Sequence, residues 1–316
     1  MQKLFYRIIR FFFTQYFHTL NQWHLCKIKK EMPVKTIKNI YGFKMILDLK
    51  NDRGISRDLY FRGVHEKTSA QYLLNSSVLK KGDVALDIGA NIGYYALIES
   101  KKVGTLGKVY AIEPVTKNYK RLQQNIALNN ISNISTFNFA AGDHDGPADI
   151  YVNEKSNRSS IINSDPEHIM GAEKVKMFKI DTFLKDKRLP NFIRMDVEGY
   201  EYAILEGMVK TMNNIKRALI HIEIHPDIMS EEQILRTFSI IENTGFTEVT
   251  VLYQPYDGWL NSSGIVRPII NRLTKKIGDI EKLSQVKPTN FDILKKMILK
   301  EKKQLRIIFS KNLNKD

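Results

Sequence analysis

The segment VALDIGANIGYY, residues 84–95, places an apolar run before an aspartate, two glycines four positions apart and a second apolar run. This order is typical of a strand that ends in a tight turn and continues into a helix. Glycine suits such a turn because it adopts a positive φ at little steric cost. The segment therefore predicts a strand, a turn and a helix, and it makes the turn a candidate ligand-binding element.

The chain on either side of this segment follows a regular order. Strand-like segments such as KVYAIE, ISTFNFAA, FIRMDV and ALIHIEIH alternate with helix-like segments, and FTEVTVLYQ predicts one more strand. Apolar strands that alternate with amphipathic helices indicate βαβ units in a mostly parallel sheet with helices on both faces. Two alternating runs within residues 34–49 predict a β-hairpin before this core.

Acidic residues follow the ends of five successive predicted strands. One such acid could simply cap the next helix. Ligands of open α/β sheets, however, bind outside the carboxyl ends of the strands, so we expect these side chains to converge on one crevice. They are Asp87, Glu113, Asp143, Asp196 with Glu198, and Glu223 with His225.

Two phosphate-binding sites fit the turn poorly. A P-loop requires a lysine directly after its last glycine, but Tyr94 follows Gly93. A dinucleotide site requires a middle glycine where Asn91 stands, and Asp87 would repel phosphates. The first type of site is therefore excluded, and the second is weakened but still open.

S-adenosylmethionine fits the same residues better, because it carries a sulfonium and an ammonium group and no phosphate. Asp87 could face these cations, and Gly89 would let the backbone approach the amino-acid end. Glu113 lies one βαβ repeat after Asp87, where an acid that accepts both ribose hydroxyls is expected.

Four segments resemble the FkbM family of S-adenosylmethionine-dependent methyltransferases. They are DIGANIG (87–93), AIEP (111–114), NFAAGD (138–143) and RMDVEGYE (194–201). RGVHE (62–66) is similar to the family's Gly-x-Tyr-Glu, with His65 in place of the tyrosine. DVEGYE after a fourth strand is the most specific of these motifs. The resemblance covers roughly residues 40 to 255 and leaves both ends of the chain outside it.

The resemblance implies a Rossmann-like class I methyltransferase with a seven-stranded sheet whose last strand is antiparallel. Residues 305–309, or a segment near residue 265, could supply that strand. It also implies S-adenosylmethionine as cofactor and a hydroxyl acceptor on a sugar, glycolipid, polysaccharide or polyketide-like substrate. The motifs and the strand-end acids together predict these cofactor-binding residues: Glu66, Asp87, Gly89, Ala90, Asn91, Gly93, Glu113, Pro114, Ala141, Asp143 and Asp196.

Methyl transfer to an aliphatic hydroxyl requires a positioned oxygen and a group that takes its proton. In the fifth strand His221, Glu223 and His225 alternate with isoleucines, so they share one face. We predict His225, Glu198 and Asp196 as catalytic residues, with His225 or Glu198 as the base. The alternative for His225 is a hydrogen-bonded residue that only shapes the following turn.

A divalent cation is a further alternative at these strand ends. Asp196 with Glu223, His225 or Asp227 could bind a hard cation through oxygen and imidazole ligands. The spacing allows such a site without requiring it, so no metal is predicted.

A polar insert, residues 153–176, is expected to form a loop beside the crevice. Arg158 and Ser160 in this insert are hypothetical substrate contacts.

Charge is concentrated at the two ends of the chain. Of the net charge of +15, residues 1–50 contribute ten Lys and Arg against two Asp and Glu, and residues 265–316 contribute fourteen against five. Basic ends favour contact with a membrane surface or a nucleic acid, although simple solvation explains them equally well. Cys26 is the only cysteine, which excludes an intrachain disulfide framework and suits a reducing cytosol.

The first 20 residues place Lys3, Arg7 and Arg10 along one helical face and apolar residues around the rest. The two arginines interrupt the apolar run of about 18 residues that a transmembrane helix needs. We expect a cytoplasmic protein whose residues 1–30 lie at the inner face of the membrane. Packing of this helix on the core or on a second subunit is the alternative.

Four regions follow from these patterns. They are a basic amphipathic helix (1–33), a β-hairpin and helical lead-in (34–80), the methyltransferase core (81–260) and a basic extension that could contain the last strand (261–316).

An RNA methyltransferase that uses the basic flanks is the main alternative function. The fourth strand of an RNA methyltransferase would be expected to end in Asn/Asp-Pro-Pro-aromatic, whereas the fourth strand here ends in Asp-Val-Glu-Gly. A nucleic-acid partner is therefore not predicted. A dehydrogenase and a non-catalytic binding module are the remaining alternatives.

Overall fold

The computed structural model describes residues 33–252 and 286–312. The predicted N-terminal helix lies almost entirely outside the described residues. Strands β1 (Lys35–Ile40) and β2 (Phe43–Asp48) pair antiparallel, which confirms the predicted hairpin. Helices α1 (Ile55–Arg62) and α2 (Lys67–Asn75) connect the hairpin to the core.

The core continues the alternation of strands and helices. Its strands are β3 (Val84–Ile88), β4 (Lys108–Ile112), β5 (Ile134–Phe137), β6 (Ala140–Ala141), β7 (Gly146–Asn153), β8 (Ile169–Phe178), β9 (Phe192–Met195), β10 (Ala218–Ile224), β11 (Glu248–Leu252), β12 (Val286–Thr289) and β13 (Leu305–Lys311). Its α-helices are α3 (Tyr94–Val103), α4 (Thr116–Leu128), α5 (Ile180–Phe183), α6 (Glu201–Glu206), α7 (Val209–Asn214), α8 (Glu231–Asn243) and α9 (Phe291–Lys295).

The central sheet has the strand order β12-β11-β13-β10-β9-β3-β4-β5. The five strands from β10 to β5 run parallel to one another, whereas β13 is antiparallel to both β10 and β11. The predicted mostly parallel α/β sheet with an antiparallel last strand is therefore confirmed. Of the two predicted candidates for that strand, residues 305–309 are the right one, and the segment near residue 265 lies outside the described residues.

The sheet has one strand more than the seven predicted. Val286–Thr289 pairs antiparallel with β11 and forms an edge of the sheet. The segment has only four residues and contains a proline, which lacks the backbone N–H of a normal strand residue. Proline is tolerated at a sheet edge, but it hides the strand from a pattern-based prediction.

Alternation along the strands separates two apolar clusters, one on each face of the sheet. In β3, Leu86 and Ile88 face the first cluster and Ala85 faces the second. In β10, Ile222 faces the first cluster and Leu219 the second. Residues of α5 to α9 complete the first cluster, and the hairpin with α1 to α4 completes the second. Both faces of the sheet are thus covered, as the near-continuous apolar strands predict.

The insert expected to be a loop is part of a second, smaller sheet. β7 and β8 form a long antiparallel hairpin, and β6 pairs parallel with β8. Most residues of β8 are exposed or half-exposed. The expectation of a loop was wrong for residues 169–176, because a strand that buries neither face shows no apolar alternation. Residues 154–168 form the connection between the two long strands.

The helix predicted after β9 is divided in two at Gly207, between α6 and α7. A Cβ atom at Gly207 would lie 1.9 Å from the carbonyl oxygen of Gly142. The break between α6 and α7 therefore packs against the segment that directly follows β6. By contrast, α8 begins with a capping box, in which Ser230 Oγ accepts from Gln233 N.

Candidate active site

A cavity opens at the carboxyl ends of β3, β4 and β9, the edge at which ligands of such sheets bind. Seven of the eleven predicted cofactor residues line it: Gly89, Ala90, Asn91, Glu113, Pro114, Ala141 and Asp196. The other four, Glu66, Asp87, Gly93 and Asp143, are not part of this wall. Four separate segments of the chain therefore meet here, but of the strand-end acids expected to converge, Glu113 and Asp196 alone are part of the wall.

The turn after β3 depends on Gly89. Its φ is +82°, and a Cβ atom at this position would lie 2.4 Å from the backbone carbonyl oxygen of Asp196. Only glycine lets the turn lie directly against the end of β9. Asn91 also has a positive φ, +50°, and its Oδ1 accepts from Ile92 N at 2.8 Å. Asparagine tolerates this conformation better than most residues.

Gly93 serves the packing of helices and does not line the cavity. Its φ is +93°, and a Cβ atom would lie 2.7 Å from Leu122 Cδ1 of α4. The nearby Asn125 of α4 is fully buried, donates to Ile92 O at 2.8 Å and accepts from Ile46 N at 2.7 Å. The turn, α4 and the hairpin are thus joined into one rigid support.

Glu113 lies at the end of β4, as predicted. Its two carboxylate oxygens accept from Asn91 N at 2.8 Å and from Val115 N at 2.9 Å. Burial raises the pKa of Glu113 to about 7, although these hydrogen bonds oppose the shift. The carboxyl group is therefore held in a fixed orientation on the cavity wall.

Asp87 does not face the cavity, which corrects the expectation that it contacts the ligand. It lies on the face of β3 covered by α3, is fully buried, and accepts from Arg194 Nη1 at 3.1 Å. Arg194 also donates to Asp196 Oδ2 at 2.7 Å, and its guanidinium carbon lies 3.9 Å from the centre of the Tyr95 ring. Burial raises the pKa of Asp87 despite this partner. Arg194, not Asp87, reaches the wall.

The RGVHE segment contributes His65 to the wall in place of the predicted Glu66. His65 Nδ1 lies 3.1 Å from Asp58 Oδ2, and Nε2 lies 3.5 Å from Glu66 Oε1. Burial alone would lower the pKa of His65, but these two carboxylates raise it to about 10. Glu66 instead accepts from Tyr95 Oη at 2.8 Å and from Arg306 at 3.0 Å. A protonated imidazole therefore borders the cavity.

The connection between β7 and β8 closes one side of the cavity. Ser160 lines the wall, as do several of its neighbours, and its Oγ donates to Val197 O at 3.0 Å. Ser156 Oγ is bonded to Asn91 Oδ1 at 3.1 Å. Arg158 lies outside the wall with its side chain half-exposed, 3.6 Å from Asp165. Asp143, also outside, is bonded to the neighbouring His144.

Beside the cavity, Asp196, Glu223 and His225 place a possible ligand atom each within 4.8 Å of one another. Glu223 accepts from Gln304 Nε2 at 2.6 Å and from Arg306 Nη2 at 2.8 Å, while Asp196 accepts from Arg194. A cation at this point would compete with these donors for the same carboxylates. Asp227 is exposed and is not part of the group.

Protonation differs among the predicted catalytic residues. Burial raises the pKa of Glu198 to about 9, so that its carboxyl group is protonated near neutral pH and is a poor base. His225 Nδ1 lies 3.8 Å from Glu198 Oε2, and burial lowers the pKa of His225. Burial likewise lowers the pKa of His221 to about 3. Both histidines are therefore uncharged near neutral pH.

Sequence reasoning missed the residues that hold these acids in place. Arg194 and Arg306 each bind two carboxylates, and Gln304 contacts both Glu223 and His225. A charged residue inside the buried strand FIRM was a usable signal for Arg194, because an unpaired arginine is almost never buried. Arg306 inside the apolar segment 305–309 carried the same signal, whereas Gln304, just outside that segment, carried none.

The sequence profile of the methyltransferase FkbM domain matches residues 87–257, more than half of the chain. The chain belongs to the FkbM methyltransferase family. The family profile spans β3 to β11 and thus contains most of the cavity wall.

Among curated proteins, the hexuronic acid methyltransferase AglP of Haloferax volcanii is 25% identical over 183 residues, which are 56% of this chain and 70% of that protein. Among solved structures, an FkbM methyltransferase from Methylobacillus flagellatus is 22% identical with a TM-score of 0.38; the match covers 58% of this chain and less than half, 43%, of that one. TYW2 of M. jannaschii, solved with AdoMet, is 20% identical with a TM-score of 0.38, covering 71% and 78% of the two chains.

Within residues 33–252 and 286–312, every helix is too short or too polar to cross a membrane.

Replacing Gly89 by alanine should destabilise the protein and weaken ligand binding, because the added methyl group meets the backbone of Asp196. Gly82→Ala is the matched control: Gly82 has a similar φ of +87° and nothing within 4 Å of the added atom. The control should lose about 1–2 kcal/mol from the left-handed conformation alone. Gly89→Ala should lose roughly a further 1–3 kcal/mol from overpacking. Urea unfolding measures both, and equal losses would contradict the argument.

The raised pKa of His65 predicts a loss of stability at alkaline pH. Because the folded pKa of about 10 exceeds the ordinary value of 6.5, the folded state binds more protons than the unfolded state between these pH values. Stability should be complete below pH 6.5 and fall as pH rises towards 10, by at most about 1.4 kcal/mol per pH unit. His65→Gln should flatten this dependence in denaturant titrations, and Asp58→Asn should reduce it. An unchanged slope in His65→Gln would contradict the assignment.

Proposed function

We propose that this methyltransferase binds S-adenosylmethionine in the cavity and transfers its methyl group to a hydroxyl oxygen of a sugar. The position of Asp196 supports this most directly, because Asp196 belongs both to the cavity wall and to the group with Glu223 and His225. A pocket for a cofactor and a set of side chains suited to proton transfer therefore share one residue.

The residues of the wall fit S-adenosylmethionine. The oxygens of Glu113 retain lone pairs after accepting two backbone N–H groups, and these could accept the ribose hydroxyls. Gly89 leaves room for the ligand to approach the backbone. Protonated His65 also borders the wall, where both of its ring nitrogens face the carboxylates of Asp58 and Glu66. When bound, the cofactor supplies a methyl group on a positively charged sulfur.

We assign the role of base to Asp196. An aliphatic hydroxyl must lose its proton as it attacks the methyl group. Arg194 donates to Asp196 Oδ2, which leaves Oδ1 for the hydroxyl of the acceptor. Of the three catalytic residues predicted from sequence, Asp196 alone lines the cavity wall. The protonated state of Glu198 makes it less suitable.

A sugar is the acceptor class that we infer. The curated relative from Haloferax volcanii is named for a hexuronic acid, which is a sugar bearing a carboxylate. Polar side chains of the connection between β7 and β8 line the cavity, and Glu223 and His225 lie beside Asp196 of its wall. Such hydrogen-bonding groups suit an acceptor rich in hydroxyls.

A transfer assay with labelled S-adenosylmethionine tests this proposal. Panels of uronic acids, neutral sugars, glycolipids and RNA should give a labelled sugar product and no labelled RNA. Asp196→Asn should lower kcat by about 10²- to 10⁴-fold, the usual contribution of a general base, with cofactor affinity retained. Asp227→Asn, an exposed aspartate at the same sheet edge, should leave kcat unchanged.

Labelled RNA without a labelled sugar would contradict the acceptor class. Equal rates in the two aspartate variants would contradict the role of Asp196.

We also propose that residues 1–30 bind an anionic membrane surface. Their cations and apolar residues occupy separate helical faces in the sequence pattern. Full-length protein should float with liposomes that contain anionic lipid, and a chain beginning at Met32 should not. Binding should weaken as salt rises, because the basic side chains contribute through screened charges. Identical flotation of the two chains would contradict the proposal.

A further inference from the structure

His225 has one ring nitrogen without a partner. Its side chain is 6% exposed, and Nε2 is buried with no hydrogen-bond partner among the described residues. The other nitrogen, Nδ1, lies 3.2 Å from Gln304 Nε2. Buried polar atoms are nearly always paired in folded proteins. Nε2 is therefore a candidate donor to a bound molecule, because His225 adjoins Asp196 of the cavity wall.

The amide of Gln304 decides which nitrogen of His225 carries the proton. Gln304 Nε2 lies 2.6 Å from Glu223 Oε1, which orients the amide with its NH₂ group towards the carboxyl group. An amide nitrogen donates hydrogen bonds and does not accept them. Its second hydrogen therefore points to His225 Nδ1, which must accept. In neutral His225 the single ring proton is then on Nε2.

The groups around Gln304 reinforce this orientation. Arg306 Nη2 donates to the other oxygen of Glu223 at 2.8 Å, so Glu223 is held between two donors. Gln304 directly precedes β13, which is paired with β10 over its whole length. The last strand thus delivers an amide and a guanidinium to the polar face of β10. Glu198 Oε2 lies 3.8 Å from the same Nδ1, and Asp196 places a carboxylate oxygen within 4.8 Å of a ring nitrogen of His225.

We propose that Gln304 is a positioning residue that keeps the proton of His225 on Nε2, so that His225 donates a hydrogen bond to an oxygen of the acceptor. This inference rests on the proposed function. His225 then holds an oxygen next to the reacting hydroxyl, while Asp196 takes the proton. The acceptor must therefore carry an oxygen beside the methylated position, as vicinal sugar hydroxyls and a uronate carboxylate do.

The role of a donor differs from the role of a base in its response to substitution. The side-chain amide of glutamine can place an N–H group near the position of imidazole Nε2, whereas leucine cannot. His225→Gln should therefore retain more activity than His225→Leu, and leucine should lower kcat/KM by about 10- to 100-fold, the cost of leaving a buried group unpaired. Equal losses in the two variants would overturn the role of a donor.

The proton position is measured directly by NMR of the full chain with ¹⁵N-labelled histidine. His225 should show a protonated Nε2 and an unprotonated Nδ1, with His225→Gln identifying its signals. Gln304→Leu should convert it to a mixture of the two tautomers and lower kcat/KM. Gln123→Leu, on the exposed side of α4, is the matched control and should change neither. Melting curves and cofactor titration of each variant verify that it is folded.

A proton on Nδ1 in the wild-type protein would overturn the inference. An unchanged His225 spectrum in Gln304→Leu would also overturn it. The NMR measurement requires no acceptor, so its result is independent of whether a sugar is methylated. A failure of this inference and a failure of the proposed function are thus distinguished.

Discussion

Two arginines, the buried Arg194 and the partly buried Arg306, make the acidic edge of the sheet possible. Arg194 binds Asp87 and Asp196, and Arg306 binds Glu66 and Glu223. A buried carboxylate is strongly destabilising unless a cation and hydrogen bonds compensate for the lost water. Each guanidinium serves two acids on different segments, because its donors form a planar fork. The pairs fix the ends of β3, β9, β10 and β13 relative to one another.

The arginines do not neutralise the whole edge. Burial raises the pKa of several further acids near the cavity, including Glu99, Glu201 and Glu113. A fold selected for stability alone would replace such residues by apolar ones of similar size. Displaced pKa values grouped beside a cavity are instead typical of sites that bind charged ligands and transfer protons. The excess of acids is thus best understood as a feature of the site.

Local patterns were enough to predict one part of the cavity wall. Gly89, Asn91 and Glu113 follow from turn chemistry and from the repeat of one βαβ unit, and both are short-range properties of the chain. The direction of Asp87 was not predictable in the same way, because its partner Arg194 lies 107 residues away. Arg306 lies 240 residues from Glu66. The β7–β8 hairpin was missed because most of its residues are exposed or half-exposed, and β12 because it is short and contains a proline.

The central claim is that this wall binds S-adenosylmethionine through Glu113. Isothermal titration of the full chain with S-adenosylhomocysteine, compared with NAD, tests it most directly. The wild-type protein should bind S-adenosylhomocysteine and not NAD. Glu113→Gln should weaken that binding by about tenfold or more, the cost of losing hydrogen bonds to a carboxylate. Binding of NAD alone, or equal affinity of Glu113→Gln and wild type for S-adenosylhomocysteine, would contradict the account.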